Sequence, residues 1–285
     1  MAVVKLALPK GRIFERVQAL LNDCGLGIRL PERGYRPSCA DDRLQIKVLK
    51  APNVASLVGL GSHDIGFTGH DWVRESGAEV VELLDLGFDP VRIVAAVHES
   101  TPFETLRHRQ RLVVVSEYEQ LSRQWLEQQN ISFHFMRSHG ATEVFPPEDA
   151  DLVVDNSASG RTLQENRLTV VATLLESTTR LVAHPRAMDD ADKRRVIEEL
   201  VLLMKAVLDG RDRVLLEMNV SEAGLAELVA KLPAMKSPTV AKLYGQAGYA
   251  VKVAVRKSEV ARLIPELKRL GASDILETDI RKVVV

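Results

Sequence analysis

Short β-forming runs alternate with stretches of helical spacing along most of this chain, and that rhythm restricts it to an α/β architecture. Residues 3–8 predict a strand, after which Phe14, Val17, Leu20, Leu21 and Cys24 recur at helical spacing, and residues 44–49 predict a second strand. A helix over 54–60, a strand over 65–68, a helix from Asp71 and a strand over 80–84 complete a first lobe. Residues 93–97 restart the rhythm. Strands over 112–115, 131–136 and 152–154, with a helix whose Leu121, Trp125 and Leu126 form a core stripe, give a second lobe. A strand over 179–183 leads out of it, and a long helix over 189–208, with Val196, Leu200, Leu203 and Val207 on one face, returns the chain to the first lobe. Two lobes joined by more than one crossing strand enclose a cleft suited to a small ligand, with the hinge expected near Val91 and Ala183.

After Gly210 the order becomes strand, helix, strand, strand, helix, strand, the βαββαβ arrangement of ferredoxin-like folds. The expected division is therefore residues 1–90 with 184–210 as lobe I, 91–183 as lobe II, and 211–285 as a separate terminal domain. No internal sequence repeat is visible. With 285 residues and 46% hydrophobic content the chain can fill these cores. Its 38 basic and 39 acidic residues leave a formal charge of −1, which gives no field to draw in nucleic acid or an anionic membrane, so any anion site must be built locally. Cys24 and Cys39 have no partner pair at metal-binding spacing and read as reduced thiols. The first residues do not resemble a secretory signal and no apolar run approaches ~20 residues, so a cytoplasmic protein is expected.

The segment Asp151-Leu152-Val153-Val154-Asp155-Asn156-Ser157-Ala158-Ser159-Gly160-Arg161-Thr162-Leu163 runs an apolar strand into a loop of small hydroxyl residues. Closely spaced backbone N–H groups and hydroxyls suit a phosphate monoester, Arg161 adds charge, and Asp155 can accept from sugar hydroxyls. Asp151 stands ~13 Å from Asp155 along a straight strand, too far to share one ribose, and is read as structural. Leu8-Pro9-Lys10-Gly11-Arg12, between the first strand and helix, is a second candidate anion site, although both cations could equally be solvated. In Gly59-Leu60-Gly61-Ser62-His63-Asp64-Ile65-Gly66-Phe67-Thr68-Gly69-His70-Asp71, glycines flank a strand that ends in an Asp able to cap the next helix. None of the seven histidines has a catalytic or metal-binding context.

Together these three segments resemble ATP phosphoribosyltransferase, the first enzyme family of histidine biosynthesis, across essentially the whole chain. The tail, through Lys236-Ser237-Pro238-Thr239, Gly271-Ala272-Ser273-Asp274-Ile275-Leu276 and Asp279-Ile280-Arg281, is similar to the regulatory domain of the long form. The resemblance implies a two-lobed, periplasmic-binding-protein-like core plus a regulatory domain. It also implies transfer of the phosphoribosyl group from phosphoribosyl pyrophosphate to N1 of ATP with release of pyrophosphate, feedback inhibition by histidine, and a homo-oligomer from dimer to hexamer. Mg2+ would be bound mainly through substrate phosphates, with no protein metal site. The implied phosphoribosyl pyrophosphate site is Asp155, Ser157, Ala158, Ser159, Gly160, Arg161, Thr162 and Lys50. Lys10 and Asp155 are the catalytic candidates, Gly11, Arg12, Gly69 and Asp71 border ATP, and Asn219, Ser237 and Thr239 are candidates for histidine. For Asp71 helix capping, and for Ser237 and Thr239 a turn with capping hydroxyls, remain alternatives. Where the family usually shows Arg-Pro-x-Asp, this chain has Lys50-Ala51-Pro52-Asn53. Lys50 keeps the charge without arginine's planar fork, and Asn53 is expected to cap a helix.

Two other readings remain open on sequence. A non-catalytic two-lobed binding protein shares the architecture, although the Lys10-Gly11-Arg12 loop and the missing export signal argue against it. A phosphoribosyltransferase for another base is the second, and such enzymes often place adjacent acids ahead of the phosphate loop, whereas Asp155 has none beside it.

Overall fold

The computed structural model describes residues 2–31, 34–233, 235 and 237–284. By contacts the chain divides into two compact units, Met1–Ala19 with Leu26–Ile197, and Leu20–Gly25 with Glu198–Val285.

The larger unit holds two lobes. In the first, β1 (Val4–Pro9), α1 (Arg12–Asp23), β2 (Leu44–Leu49), α2 (Ala51–Gly59), β3 (Ile65–Gly69), α3 (His70–Ser76) and β4 (Val81–Asp85) follow in order. In the second come β5 (Val91–His98), α4 (Phe103–Leu106), β6 (Leu112–Ser116), α5 (Glu119–Gln128), β7 (Phe133–Arg137), a 3-10 turn (Thr142–Val144), β8 (Leu152–Ser157), α6 (Arg161–Glu165) and β9 (Leu168–Ser177). β10 (Thr179–Ala183), α7 (Pro185–Asp189) and α8 (Ala191–Arg211) complete the run. The first lobe is a five-stranded sheet in the order β2-β1-β3-β10-β4, and the second a five-stranded sheet in the order β7-β6-β8-β5-β9.

The two orders are the same design. In each lobe three strands run parallel, and the strand arriving from the other lobe, β10 or β5, inserts antiparallel beside the third of them. This repeat of topology leaves no sequence repeat, because side-chain packing rather than residue identity defines it. It also relocates the hinge. β10 belongs to the first lobe's sheet, pairing Thr179 with Gly69, whereas β9 pairs Ser177 with Val91 in the second. The chain thus crosses along residues 86–90 and at Thr178, not at Ala183, and residues 179–183 lie in lobe I.

β9 is the one long strand that the sequence reading passes over. Its exposure follows no period of two, and its pairing to β5 shifts register between Ile93 and Val94 and between Ala95 and Ala96. An edge strand with such irregularities shows no clean alternation.

Close packing sets the centre of the first lobe. Leu6, Leu8, Ile65, Phe67, Leu181 and Val182 are fully buried, and α2 lies on the sheet through Val54, Ala55 and Val58. A Cβ on Gly66 would stand 2.6 Å from Val54 Cγ1 and 3.0 Å from Val58 Cγ2, so only glycine lets this helix approach. Lys50 is the N-cap of α2 with no side-chain bond, which places Asn53 inside the helix, where it does not cap it as expected. Likewise Gly69, not Asp71, is the N-cap of α3.

The smaller unit contains β11 (Arg213–Val220), α9 (Glu222–Lys231), β12 (Thr239–Lys242), β13 (Tyr249–Arg256), α10 (Lys257–Arg269) and β14 (Ser273–Asp279). Its sheet order, β12-β13-β11-β14 with antiparallel neighbours, is ferredoxin-like. Val214, Leu216, Met218 and Val220 alternate inward against Leu228 of α9 and Leu263 and Leu267 of α10. The division between units falls inside α8, between Ile197 and Glu198, whereas the sequence pattern changes after Gly210. A continuous helix carries no sequence mark of where its contacts change.

Gly66→Ala should lower stability by ~1–3 kcal/mol through overpacking against α2, read as a fall in the urea midpoint at unchanged slope. An unchanged midpoint would contradict this account of the helix–sheet contact.

Candidate active site in the interlobe cleft

The functional segments gather at the carboxyl ends of the parallel strands, as expected in open α/β sheets. Lys10, Gly11 and Arg12 follow β1, Lys50 follows β2, Gly69 ends β3, Glu117 follows β6, and the 157–162 loop follows β8. Gly69 and the 157–162 loop occupy equivalent places in the two lobes.

A cavity of about 470 Å³ lies under that loop. It brings Asp155, Ser157, Ala158, Ser159, Gly160, Arg161 and Thr162 together with Arg12 from the first lobe. Gly160 turns the loop at φ +78, a conformation that L side chains rarely adopt. Arg161 is largely exposed and bonded through Nε to Glu165 Oε1 at 2.9 Å, so part of its charge is balanced one turn away. Asp151 accepts the Val113 N–H at 2.8 Å and pairs with Arg109.

Glu117 and Glu143 also line this cavity, and the sequence reading misses both. Glu117 could have been found from its place directly after a parallel strand. Glu143 has no comparable signal, because it sits in the 3-10 turn after β7 and reaches Asp155 only through the fold. Burial pushes the Asp155 carboxyl up to about 6, against a hydrogen bond from the Asn156 N–H, and the charges of Glu143 and Glu117 push in the same direction as burial.

A smaller cavity of about 130 Å³ adjoins the first and shares Arg12 and Asn156 with it. Gly69 and Asp71 line it, together with Trp72, Asp89, Tyr118 and Ser177. Asp71 is 4% exposed. Its Oδ1 accepts from Ser177 Oγ at 2.6 Å and its Oδ2 accepts from Tyr118 Oη at 2.9 Å. Asn156 Nδ2 then donates to Tyr118 Oη at 3.3 Å and to Asp155 Oδ1 at 3.2 Å, and the Asn156 N–H donates to the same oxygen at 2.7 Å. Burial, and next the neighbouring Asp71, hold the Tyr118 phenol protonated, so it remains a donor to Asp71. One hydrogen-bonded chain therefore runs from Ser177 at the end of β9, through Asp71 of the first lobe and Tyr118, to Asn156 and Asp155 of β8, just before the 157–162 loop. A Cβ on Gly69 would collide with the Asp71 carboxylate, which explains glycine there.

Two more contacts join the lobes beside it. Trp72 stacks on Tyr118 with centroids 4.7 Å apart. Glu75 of α3 accepts from the N–H groups of Gln120 and Leu121 at 3.0 Å each, satisfying first-turn donors of a helix in the other lobe that has no side-chain cap of its own.

A third cavity, about 490 Å³, opens on the other side of Ser157 and Ala158 and reaches Arg92 and Arg180. Lys10, Gly11 and Lys50 line none of the three cavities. Lys10 Nζ sits 4.5 Å over the Tyr35 ring. In the smaller unit, Asn219 and Thr239 lie on the sheet face opposite the helices, with Asn219 Nδ2 bonded to Asp274 Oδ2 at 3.0 Å. Register places them two strands apart and two residues out of step, ~12 Å from each other. Ser237 is exposed, and Lys236 lies outside the described residues.

Among the described residues no helix is long and apolar enough to cross a membrane. A family model described as ATP phosphoribosyltransferase matches residues 50–206, and one described as HisG, C-terminal domain, matches residues 210–282. Relatives named ATP phosphoribosyltransferase from Chlorobium phaeovibrioides and Chlorobaculum parvum are 38% and 37% identical over 287 residues, covering 99% of this chain and 98% of theirs. The solved ATP phosphoribosyl transferase (HisG:HisZ) complex from Thermotoga maritima is similar in fold, with a TM-score of 0.63 and 21% identity over 71% of this chain and 98% of that one.

Asp155 titration has a signed consequence. Its folded value, about 6, is raised from 3.8, so the protonated form stabilises the free protein at low pH, and this contribution is lost as pH rises through 6. The sequence expectation that Asp155 accepts from ribose hydroxyls favours the ionised form, so on that expectation binding should weaken in the opposite direction, as pH drops below about 6. Glu143→Gln should therefore move the inflection of kcat/KM for phosphoribosyl pyrophosphate to lower pH. The substrate's own phosphate titration is common to both proteins, so an unmoved or raised inflection would refute the charge coupling.

Proposed function

The chain belongs to the ATP phosphoribosyltransferase family, and on that premise we propose that the cavity under the 157–162 loop receives phosphoribosyl pyrophosphate while the adjoining cavity borders ATP. The activity is transfer of the phosphoribosyl group to ATP, the first step of histidine biosynthesis. The observation that carries the site assignment is the juxtaposition of a small-residue hydroxyl loop with Asp155 in one wall. Ser157, Ser159, Thr162 and the loop backbone around Ala158 and Gly160 hold the 5′-phosphate, with Arg161 adding charge at the rim, and Asp155 accepts from the ribose hydroxyls. Adenine N1 attacks the anomeric carbon with its own lone pair, the bond to pyrophosphate breaks, and no strong general base is needed. The protein's task is alignment and stabilisation of charge on the leaving group.

Arg12, shared by the two cavities, stands where the pyrophosphate of one substrate meets the other, with Lys10, Gly11 and Lys50 further along the same strand ends. Among the described residues no three histidine, cysteine or acidic side chains are placed to hold a metal, so a magnesium ion would be carried in on the substrate phosphates, with the hard oxygen donors of Glu117, Glu143 and Asp155 in the lining of the same cavity. When bound, the ion neutralises charge on the departing pyrophosphate. The smaller unit is assigned to feedback inhibition, with histidine recognised near Asn219, Ser237 and Thr239. Because Asn219 and Thr239 are spread over one sheet face and Ser237 lies in the exposed stretch before β12, a ligand that touches all three needs further walls, and a homo-oligomer is the arrangement that supplies them. A biosynthetic role of this kind belongs in the cytoplasm.

Mixing the protein with ATP, phosphoribosyl pyrophosphate and magnesium should change ultraviolet absorbance as adenine is alkylated at N1, and added histidine should suppress the change. Asp155→Ala should lower the rate about 10²-fold with the fold retained. Suppression failing would remove the regulatory assignment alone, while full activity in Asp155→Ala would remove the loop assignment.

A further inference from the structure

Asp89 occupies a place that is unfavourable for the fold. It lies in the crossing segment between β4 and β5, is 8% exposed, and holds φ +49, a region that residues other than glycine seldom enter. Its Oδ2 is buried without a hydrogen-bond partner among the described residues. A carboxylate out of water with an unsatisfied oxygen and a left-handed backbone carries two local costs at once.

Its other oxygen explains the position. Asp89 Oδ1 pairs with Arg12 Nε at 2.9 Å, and Arg16, one turn further along α1, stands at 3.7 Å. Arg12 is otherwise well exposed, at 64% for its side chain, and it lines both the phosphate-loop cavity and the smaller cavity. A long cation at the start of a helix would ordinarily sample many rotamers in water. The buried carboxylate at its Nε restricts that sampling and holds the side chain where it lines both cavities. Asp89 is fixed by the hinge segment itself, since the Phe88 carbonyl accepts the Thr179 N–H at 2.9 Å across the two crossings.

We propose that Asp89 is a positioning residue for the transfer reaction: from the crossing segment it holds Arg12 at the junction of the two cavities, where the phosphates of the two substrates meet. This rests on the reading of the cleft as the substrate site. Asp89 acts through Arg12 and not on substrate directly, so its effect exists only while Arg12 is present.

Asp89→Asn tests it cleanly, because asparagine keeps the volume and tolerates the left-handed backbone while removing the charge. Steady-state kinetics of the wild type, Asp89→Asn, Arg12→Ala and the double variant, each with a thermal melt, form a double-mutant cycle. Asp89→Asn should melt at or above the wild type yet lose about tenfold in kcat/KM for ATP, and Arg12→Ala should lose at least as much. In the Arg12→Ala background, Asp89→Asn should change kcat/KM by less than about twofold. An undiminished tenfold loss in that background would make Asp89 merely structural and overturn the proposal, as would full activity in either single variant. Asp155→Asn, which leaves the ion pair intact, separates the two levels: if it too is fully active, the reading of the cleft has failed, and if it is impaired, only the role of Asp89 has.

Discussion

The Asp71 carboxylate is the constraint around which the cleft is arranged. Buried at the start of α3, it requires donors, and it takes both from the second lobe, one from Ser177 at the end of β9, beside the crossing, and one from Tyr118. Leaving either oxygen unpaired would cost ~1–3 kcal/mol or more for a charged group. The lobes are thereby joined at the cleft by groups that have to pair, and Gly69 is glycine because the same carboxylate folds back over it. Trp72 stacked on Tyr118, and Glu75 closing the start of α5, put apolar area and a helix terminus on the same seam. Because Tyr118 also accepts from Asn156, what fixes the lobes also fixes the residue next to Asp155.

The chemistry of the cleft is a balance of opposed charges. On the proposed reading, two polyanionic substrates enter a space lined by Glu117, Glu143 and Asp155, with Arg12 and Arg161 as its cations. Burial first, and then the charges of Glu143 and Glu117, raise the affinity of Asp155 for a proton, and the same negative field favours a divalent cation arriving with phosphates. Arg161 and Arg12 each have an acidic partner, Glu165 and Asp89, so both are oriented but neither contributes a full uncompensated charge. Recognition then depends on direction as much as on net charge.

How much of this was legible in the sequence follows from the range of each interaction. Strand and helix periods depend on neighbours a few residues apart, so β2 and β10 agree with the expected bounds and the terminal βαββαβ order is correct. The 157–162 loop was visible because its composition is local. Asp71 was singled out for its place before a helix, yet its partners lie far along the chain at Tyr118 and Ser177, and its buried bridging role could not be read from spacing. Glu143, Asp89 and Asn156 gain their meaning the same way. β9 and the crossing at Thr178 were lost to irregular pairing, and the shared topology of the lobes to the absence of any common residue pattern.

Calorimetric titration of phosphoribosyl pyrophosphate with magnesium into the wild type and Tyr118→Phe, without ATP so that nothing turns over, tests most directly whether the cleft works as one hydrogen-bonded unit. The phenol touches Asp71 and Asn156 rather than the phosphate loop, so a purely local site would not register its loss. The account predicts affinity weakened about fivefold, the equivalent of one net hydrogen bond of ~1 kcal/mol. Equal affinity in the two proteins would contradict it.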